Sequence, residues 1–299
     1  MDISKNFIKA KRPCADGLRW YLRHGLQDHA YQELLDALVE AGRVGDACWL
    51  LDNFGPTDAV LELDALQASA LVFAGTLRVR GGVEVDGLLR TGRGLHAGGG
   101  LRVGGDLVCG DDLACGGALR CEGRLRVGGR LQAAWGLEVA GALDCAGPLR
   151  SGRDLHCGGA LHAGGELKVG EALHVGAALH CAQSLWVGGD AWVDGALQAG
   201  QGVAVGGTLE TASHLEAGWG LRAGGDILSG GAVRAGESLL AGGRIVAGPG
   251  YGIYAGLDVR EQAWEASARV SAAQPPEGLR SGLWVGPDLA LQRAAWSPA

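Results

Sequence analysis

No stretch of this 299-residue chain approaches the 18 or more apolar residues of a membrane-spanning helix. The first residues, MDISKNFIKAKRPC, carry no apolar run behind their basic side chains. A secretory leader is therefore not expected, and the expected location is cytoplasmic. Basic charge in excess is also missing. The formal net charge is -7, with arginines scattered among acids. Neither a nucleic-acid partner nor a membrane surface is implied. Eight cysteines are too few for a disulfide scaffold and suit a reducing compartment.

Glycine, by contrast, is abundant: 55 residues, well above the usual share of about 7%. The Gly-X-Y period of collagen is absent, and 47% of residues are hydrophobic, which excludes simple disorder. Glycine must be demanded at regular places in a folded chain.

The places recur every six residues: LRVGGD, LRVGGR, LHAGGE, LKVGEA, LHVGAA, LWVGGD, LRAGGD, LLAGGR. Counting by sixes from Leu71 to Gln262, position 1 is Leu, Ile or Val in 30 of 32 hexads, and position 3 is Val, Ala, Cys, Ser or Thr in 30 of 32. Residues two apart on a strand face the same way, so positions 1 and 3 point inward and position 2 points out. Leu101, Val103, Leu125, Val127, Leu161, Leu167, Val169 and Leu221 are expected core residues. Positions 4 and 5, commonly Gly-Gly, read as a sharp corner requiring positive φ.

Identical strand-corner units wind most simply into a parallel β-solenoid. Three hexads, about 18 residues, per coil is the preferred count, with a four-sided coil as the alternative. The 32 hexads then stack into a rod about 51 Å long at the inter-strand spacing of about 4.8 Å. The fold class expected is mainly β, a single-stranded parallel β-solenoid with a small N-terminal α-helical domain.

Four regions follow. Residues 1–58 read as a helical domain or cap, with helices expected over Ala15 to His24, Tyr31 to Ala41 and Val44 to Phe54, stops at Gly42 and Gly55, and a cap at Asp28. Residues 59–70 read as irregular entry strands, 71–262 as the solenoid, and 263–299 as a loop followed by a final strand or cap. Phe73 and Tyr251, bulky residues at inward positions, are expected to plug the two ends of the core.

The hexads resemble those of two known groups. One is the left-handed β-helix of the hexapeptide acyltransferases; the other is the bactofilins, polymer-forming bacterial cytoskeletal proteins with a compact β-helical core. The resemblance covers residues 71–262. The acyltransferase likeness implies a trimer whose helix is interrupted by a loop bearing a catalytic histidine, whereas the frame here runs through 192 residues without an insertion. The bactofilin likeness implies an unbroken rod that associates end to end, although bactofilins usually carry short disordered flanks in place of a helical domain.

Chemistry-bearing residues are few. His156, His162, His174 and His180 occupy outward position 2, and three hexads per coil stack His156 under His174 and His162 under His180, so that each pair could hold a metal ion. A solvated ladder is the simpler reading, and His96 has no stacked mate. Cys109, Cys115 and Cys121 take position 3 of consecutive hexads and read as core fillers, as do Cys145, Cys157 and Cys181. Trp186 and Trp192 lie outward, above Lys168 and His174, as candidate interaction residues, together with Trp264, Trp284 and Trp296 in the tail. The glycines of LHAGGGLRVGGD belong to corners and form no phosphate loop.

No catalytic or cofactor-binding residue is assigned. The function expected is a non-catalytic scaffold, a rigid rod that self-associates or docks a partner protein through its terminal regions. A hexapeptide-type acyltransferase and a partner-binding helical domain on a solenoid spacer are the alternatives.

Overall fold

The computed structural model describes residues 10–11, 13–24 and 30–288. Among the described residues, three helices precede the solenoid: α1 (Ala15–Arg23), α2 (Tyr31–Glu40) and α3 (Val44–Phe54). Each falls within one residue of its expected bounds. Leu34, Leu35, Leu38, Leu50 and Leu51 are buried between them. The Cys14 Sγ accepts the Gly17 N–H at 3.2 Å at the start of α1, and the Glu33 carboxylate accepts the Ala30 N–H at 2.9 Å at the start of α2. Gly42 (φ 71°) and Gly55 (φ 82°) end α2 and α3 in the left-handed region that side chains disfavour. Asp28, Trp296 and the other expectations on 25–29 and 289–299 lie outside the described residues.

Beyond the helices, 36 strands among the described residues, β1 to β36, form three parallel sheets of 13, 11 and 12 strands, called here the first, second and third faces. Each strand from β4 to β31 pairs with the strands three before and three after it, and between Leu77 and Ile245 residues 18 apart lie in register: Leu101 on Leu119 on Leu137. The three-hexad coil is thus the observed one. Leu101, Val103, Leu125, Val127, Leu161, Leu167, Val169 and Leu221 are all at most 2% exposed. Between the end coils, every inward side chain sits between its counterparts on the coils above and below, so the alternation of leucine with small residues fills the prism without overpacking.

The solenoid starts earlier than Leu71. Strands β1 (Val60–Leu63), β2 (Leu66–Ala68) and β3 (Leu71–Phe73) make a first, tighter coil, in which Leu61 stacks on Leu77, Leu66 on Val83 and Leu71 on Leu89. Phe73 fills the core there. The helices pack on the outside of the third face beside this coil. Val72, at an outward position, is fully buried beneath them. The Gln32 side chain donates to the Val72 carbonyl at 2.9 Å and accepts from the Ala74 N–H at 3.0 Å, and Arg90 pairs with Asp52.

Two expectations require correction. The corner glycines do not have positive φ, which among the described glycines occurs only at Gly42, Gly55, Gly250, Gly256, Gly278, Gly282 and Gly286. What excludes a side chain is the coil below: a Cβ on Gly98 would lie 2.1 Å from the Arg80 carbonyl oxygen. The stacking of corners, and not backbone strain, selects glycine.

The regular frame also ends before Gln262. After β32 (Ile245–Val246) a turn at Gly248, whose carbonyl accepts the Tyr251 N–H at 3.0 Å, inserts two residues. Ile253, not Tyr251, stacks on Val233 and is buried, while Tyr251 is 50% exposed and Leu257 is 54% exposed. Tyr251 therefore plugs nothing. The tail then leaves the rod through a 3-10 turn (Glu261–Ala263) and a short helix α4 (Trp264–Ser267). It returns as β34 (Arg269–Ser271), β35 (Leu279–Ser281) and β36 (Leu283–Trp284), which extend the first and third faces.

Candidate functional site

The corners carry a polar device that the hexad pattern alone did not reveal. Asp106, Asp112, Asp190 and Asp226, all at position 6, each accept the N–H of the residue one coil above, at 2.6 to 2.7 Å. Seventeen residues after each stands a glycine, Gly123, Gly129, Gly207 or Gly243, where a Cβ would come within 2.0 to 2.4 Å of that carboxylate oxygen. Asp154 has Glu171 at this place, and its bond to the Ala172 N–H is longer, at 3.0 Å. The GGD ends of several hexads were the legible signal.

The inward thiols do not converge. Cys109, Cys115 and Cys121 sit on three different faces of the prism, and each Sγ donates to a corner carbonyl, that of Arg93, Gly99 or Gly105, at 3.2 to 3.3 Å. Ser151 makes the same kind of bond, to the carbonyls of Trp135 and Asp154. Burial pushes Cys109 and Cys121 up to about 11 and raises Cys115, Cys145, Cys157 and Cys181 as well. A neutral thiol is a weak donor and a poor nucleophile. All eight cysteines are free.

Position 2 forms columns in register along each face. On the second face the order is Glu138, His156, His174, Trp192; on the third it is Asp144, His162, His180, Gln198. The expected stacking is present. The His156 and His174 rings lie 4.9 Å apart and 3° from parallel, and His162 and His180 lie 5.0 Å apart and 1° from parallel. His174 Nε2 is 3.9 Å from Asp194 Oδ2. His96 stands between Arg78 and Ala114. As they stand, no three imidazole, thiol or carboxylate groups among the described residues converge on a metal position.

On the first face the Lys168 ammonium lies 4.8 Å from the centre of the Trp186 ring, and Trp192 is exposed on the next face. Two more exposed tryptophans were not singled out from the sequence, Trp135 and Trp219, both at the fifth position, where glycine usually turns the chain. The Arg153 guanidinium covers Trp135 at 5.7 Å. In the tail, Trp264 packs against Gly256, leaving no room for a Cβ, while Trp284 stays exposed.

Apolar side chains concentrate at both ends of the rod. Leu61, Leu63, Leu66 and Leu71 point inward but are only half-buried, with Val60 exposed beside them. At the other end Tyr251, Leu257, Leu283, Trp284 and Val285 are exposed. The helices line an open apolar pocket of about 320 Å³, with Leu18, Tyr21, Leu34, Leu38, Trp49 and Leu50 in its wall and Cys14 and Asp46 among its polar groups. Among the described residues no helix is long and apolar enough to cross a membrane. Set beside known proteins, the chain matches no family model, no curated protein and no solved structure.

Proposed function

We propose that the protein is a non-catalytic structural or scaffold element, a rigid β-solenoid rod that self-associates or docks partner proteins through its terminal regions. One observation carries the reading: the first and last coils leave apolar side chains uncovered, whereas the inward leucines between them are sealed by a coil on either side. Such uncovered edges with unpaired backbone groups invite further strand addition. No loop interrupts the strands between β4 (Thr76–Val79) and β32, which favours the bactofilin-like reading over the acyltransferase one. The buried free thiols are compatible with a reducing bacterial cytoplasm, which belongs to the same proposal.

Light scattering across a concentration series, with electron microscopy, tests it. Concentration-dependent association is expected, and Leu63→Arg with Leu66→Arg, or Trp284→Arg with Val285→Asp, should weaken it while circular dichroism stays unchanged. Strictly monomeric protein without ordered assemblies would remove self-association. Saturable acyl-CoA binding by calorimetry would favour a transferase instead.

The helical domain supports a second reading, partner recognition with the solenoid as spacer. Its open apolar pocket lies within the size range of small-ligand and anchor-residue pockets. Leu18→Arg should abolish a partner's binding without touching the rod.

A further inference from the structure

We infer that the stacked histidines bind a divalent transition-metal ion such as Zn(II), with a tighter site formed by His156, His174 and Asp194 and a weaker one by His162 and His180. The inference does not depend on self-association.

The first support is repetition. The same sequence of outward groups, a carboxylate followed by two imidazoles on successive coils, occurs on two adjacent faces at equal heights: Glu138, His156, His174 and Asp144, His162, His180. Imidazole pairs are a natural donor set for Zn(II), Cu(II) and Ni(II).

The second is the third donor. From Gly98 to Gly248, every fourth hexad position is glycine or alanine except Glu122 and Asp194. Glu122 pairs with Arg120 at 2.7 Å. Asp194 instead sets its carboxylate 3.9 Å from His174 Nε2. The third face has Gly200 at the equivalent place, so its pair lacks this donor.

The third is distance and mobility. Zn–N bonds of about 2.0–2.1 Å place tetrahedral donors about 3.3 Å apart. Rotation of the His174 and Asp194 side chains, 41% and 61% exposed, has to close the 3.9 Å separation and the 4.9 Å ring spacing to that value, with Asp194, two coils from His156, reaching the ion from the His174 side.

The fourth is charge. The outward neighbours of the pairs along their columns are Glu138 and Trp192, and Asp144 and Gln198, none of them cationic. The nearby cations are engaged elsewhere: Lys168 on Trp186, Arg150 with Glu166, Arg153 on Trp135. An ion held there joins two coils and raises the unfolding midpoint, because it binds the folded chain alone.

Calorimetric titration of the full chain, purified without a histidine tag, with ZnCl₂ tests this. Two saturable events per chain are expected at micromolar Zn(II), with a metal-dependent rise in melting midpoint. His156→Gln with His174→Gln should delete the tighter event, and His162→Gln with His180→Gln the weaker. Asp194→Asn should weaken the tighter by about tenfold. His96→Gln should leave both unchanged. No saturable binding by the wild-type chain, or a titration that His156→Gln with His174→Gln leaves unaltered, overturns the assignment.

Discussion

Leu61 and Leu77 are the same residue type in the same inward place, stacked one coil apart, yet Leu77 is fully buried and Leu61 only half-buried. What separates them is a coil on both sides against a coil on one. In the middle of the rod the 18-residue register never varies, while at the ends it departs from 18, as Leu61 on Leu77 and Val233 on Ile253 illustrate. Burial in this architecture is conferred by neighbours, so stability sums over coil-to-coil contacts and is least where a contact is missing.

That contrast can be broken or sharpened by measurement. Leu161→Asp, which puts an unpaired carboxylate between two coils, should cost more than about 4 kcal/mol, and Leu61→Asp only about 1 kcal/mol, by urea unfolding followed by circular dichroism. Equal losses would show that the ends are as sealed as the middle. Alkaline pH gives the next largest effect. Folded Cys109 and Cys121 hold their protons up to about 11, against the 9.0 of an unperturbed cysteine thiol. The unfolded chain binds fewer protons between those values, so this stability is complete below about pH 9 and is lost as pH rises to about 11. The loss should approach about 2 kcal/mol per thiol and vanish at these sites in Cys109→Val with Cys121→Val.

A smaller effect belongs to the corners. Gly207→Ala forces a Cβ against the Asp190 carboxylate, which holds the Thr208 N–H at 2.6 Å. It should cost about 1–3 kcal/mol, and Asp190→Ala about 1 kcal/mol. The two together should cost less than their sum, because the clash is absent once the carboxylate is gone. Smallest is Lys168→Ala, about 0.5 kcal/mol through the lost contact with Trp186, a surface term that salt and solvent keep weak.

The middle of the rod was legible because a side-chain period of two within a chain period of six admits one inward set, and Leu125 or Val169 could belong to no other. The histidine stacking followed from the coil length alone. Val72 was harder to place: an apolar residue at an outward position means something only once the helices that cover it are placed. Tyr251 misled because Gly248 to Gly250 add two residues without disturbing the look of the hexad, and Ile253, which takes over the core, sits at what counting makes a third position. The corner glycines were found at the right places for the wrong reason, since contact with a carbonyl 18 residues away leaves no local mark. Asp194 could have been noticed as a charged residue where glycine belongs, but its approach to His174 depends on how one corner overhangs the strand beneath.

The constant 18-residue register has a consequence for length. Excising one whole unit, for example 125–142, would let Leu143 follow Leu119 as Leu125 now does and stack on Leu107 in its place, shortening the molecule by a single storey of about 4.8 Å. Inserting a unit would lengthen it by the same step. Such a protein can be resized in uniform increments, as a ruler is cut at its graduations, while the fittings at its two extremities stay the same.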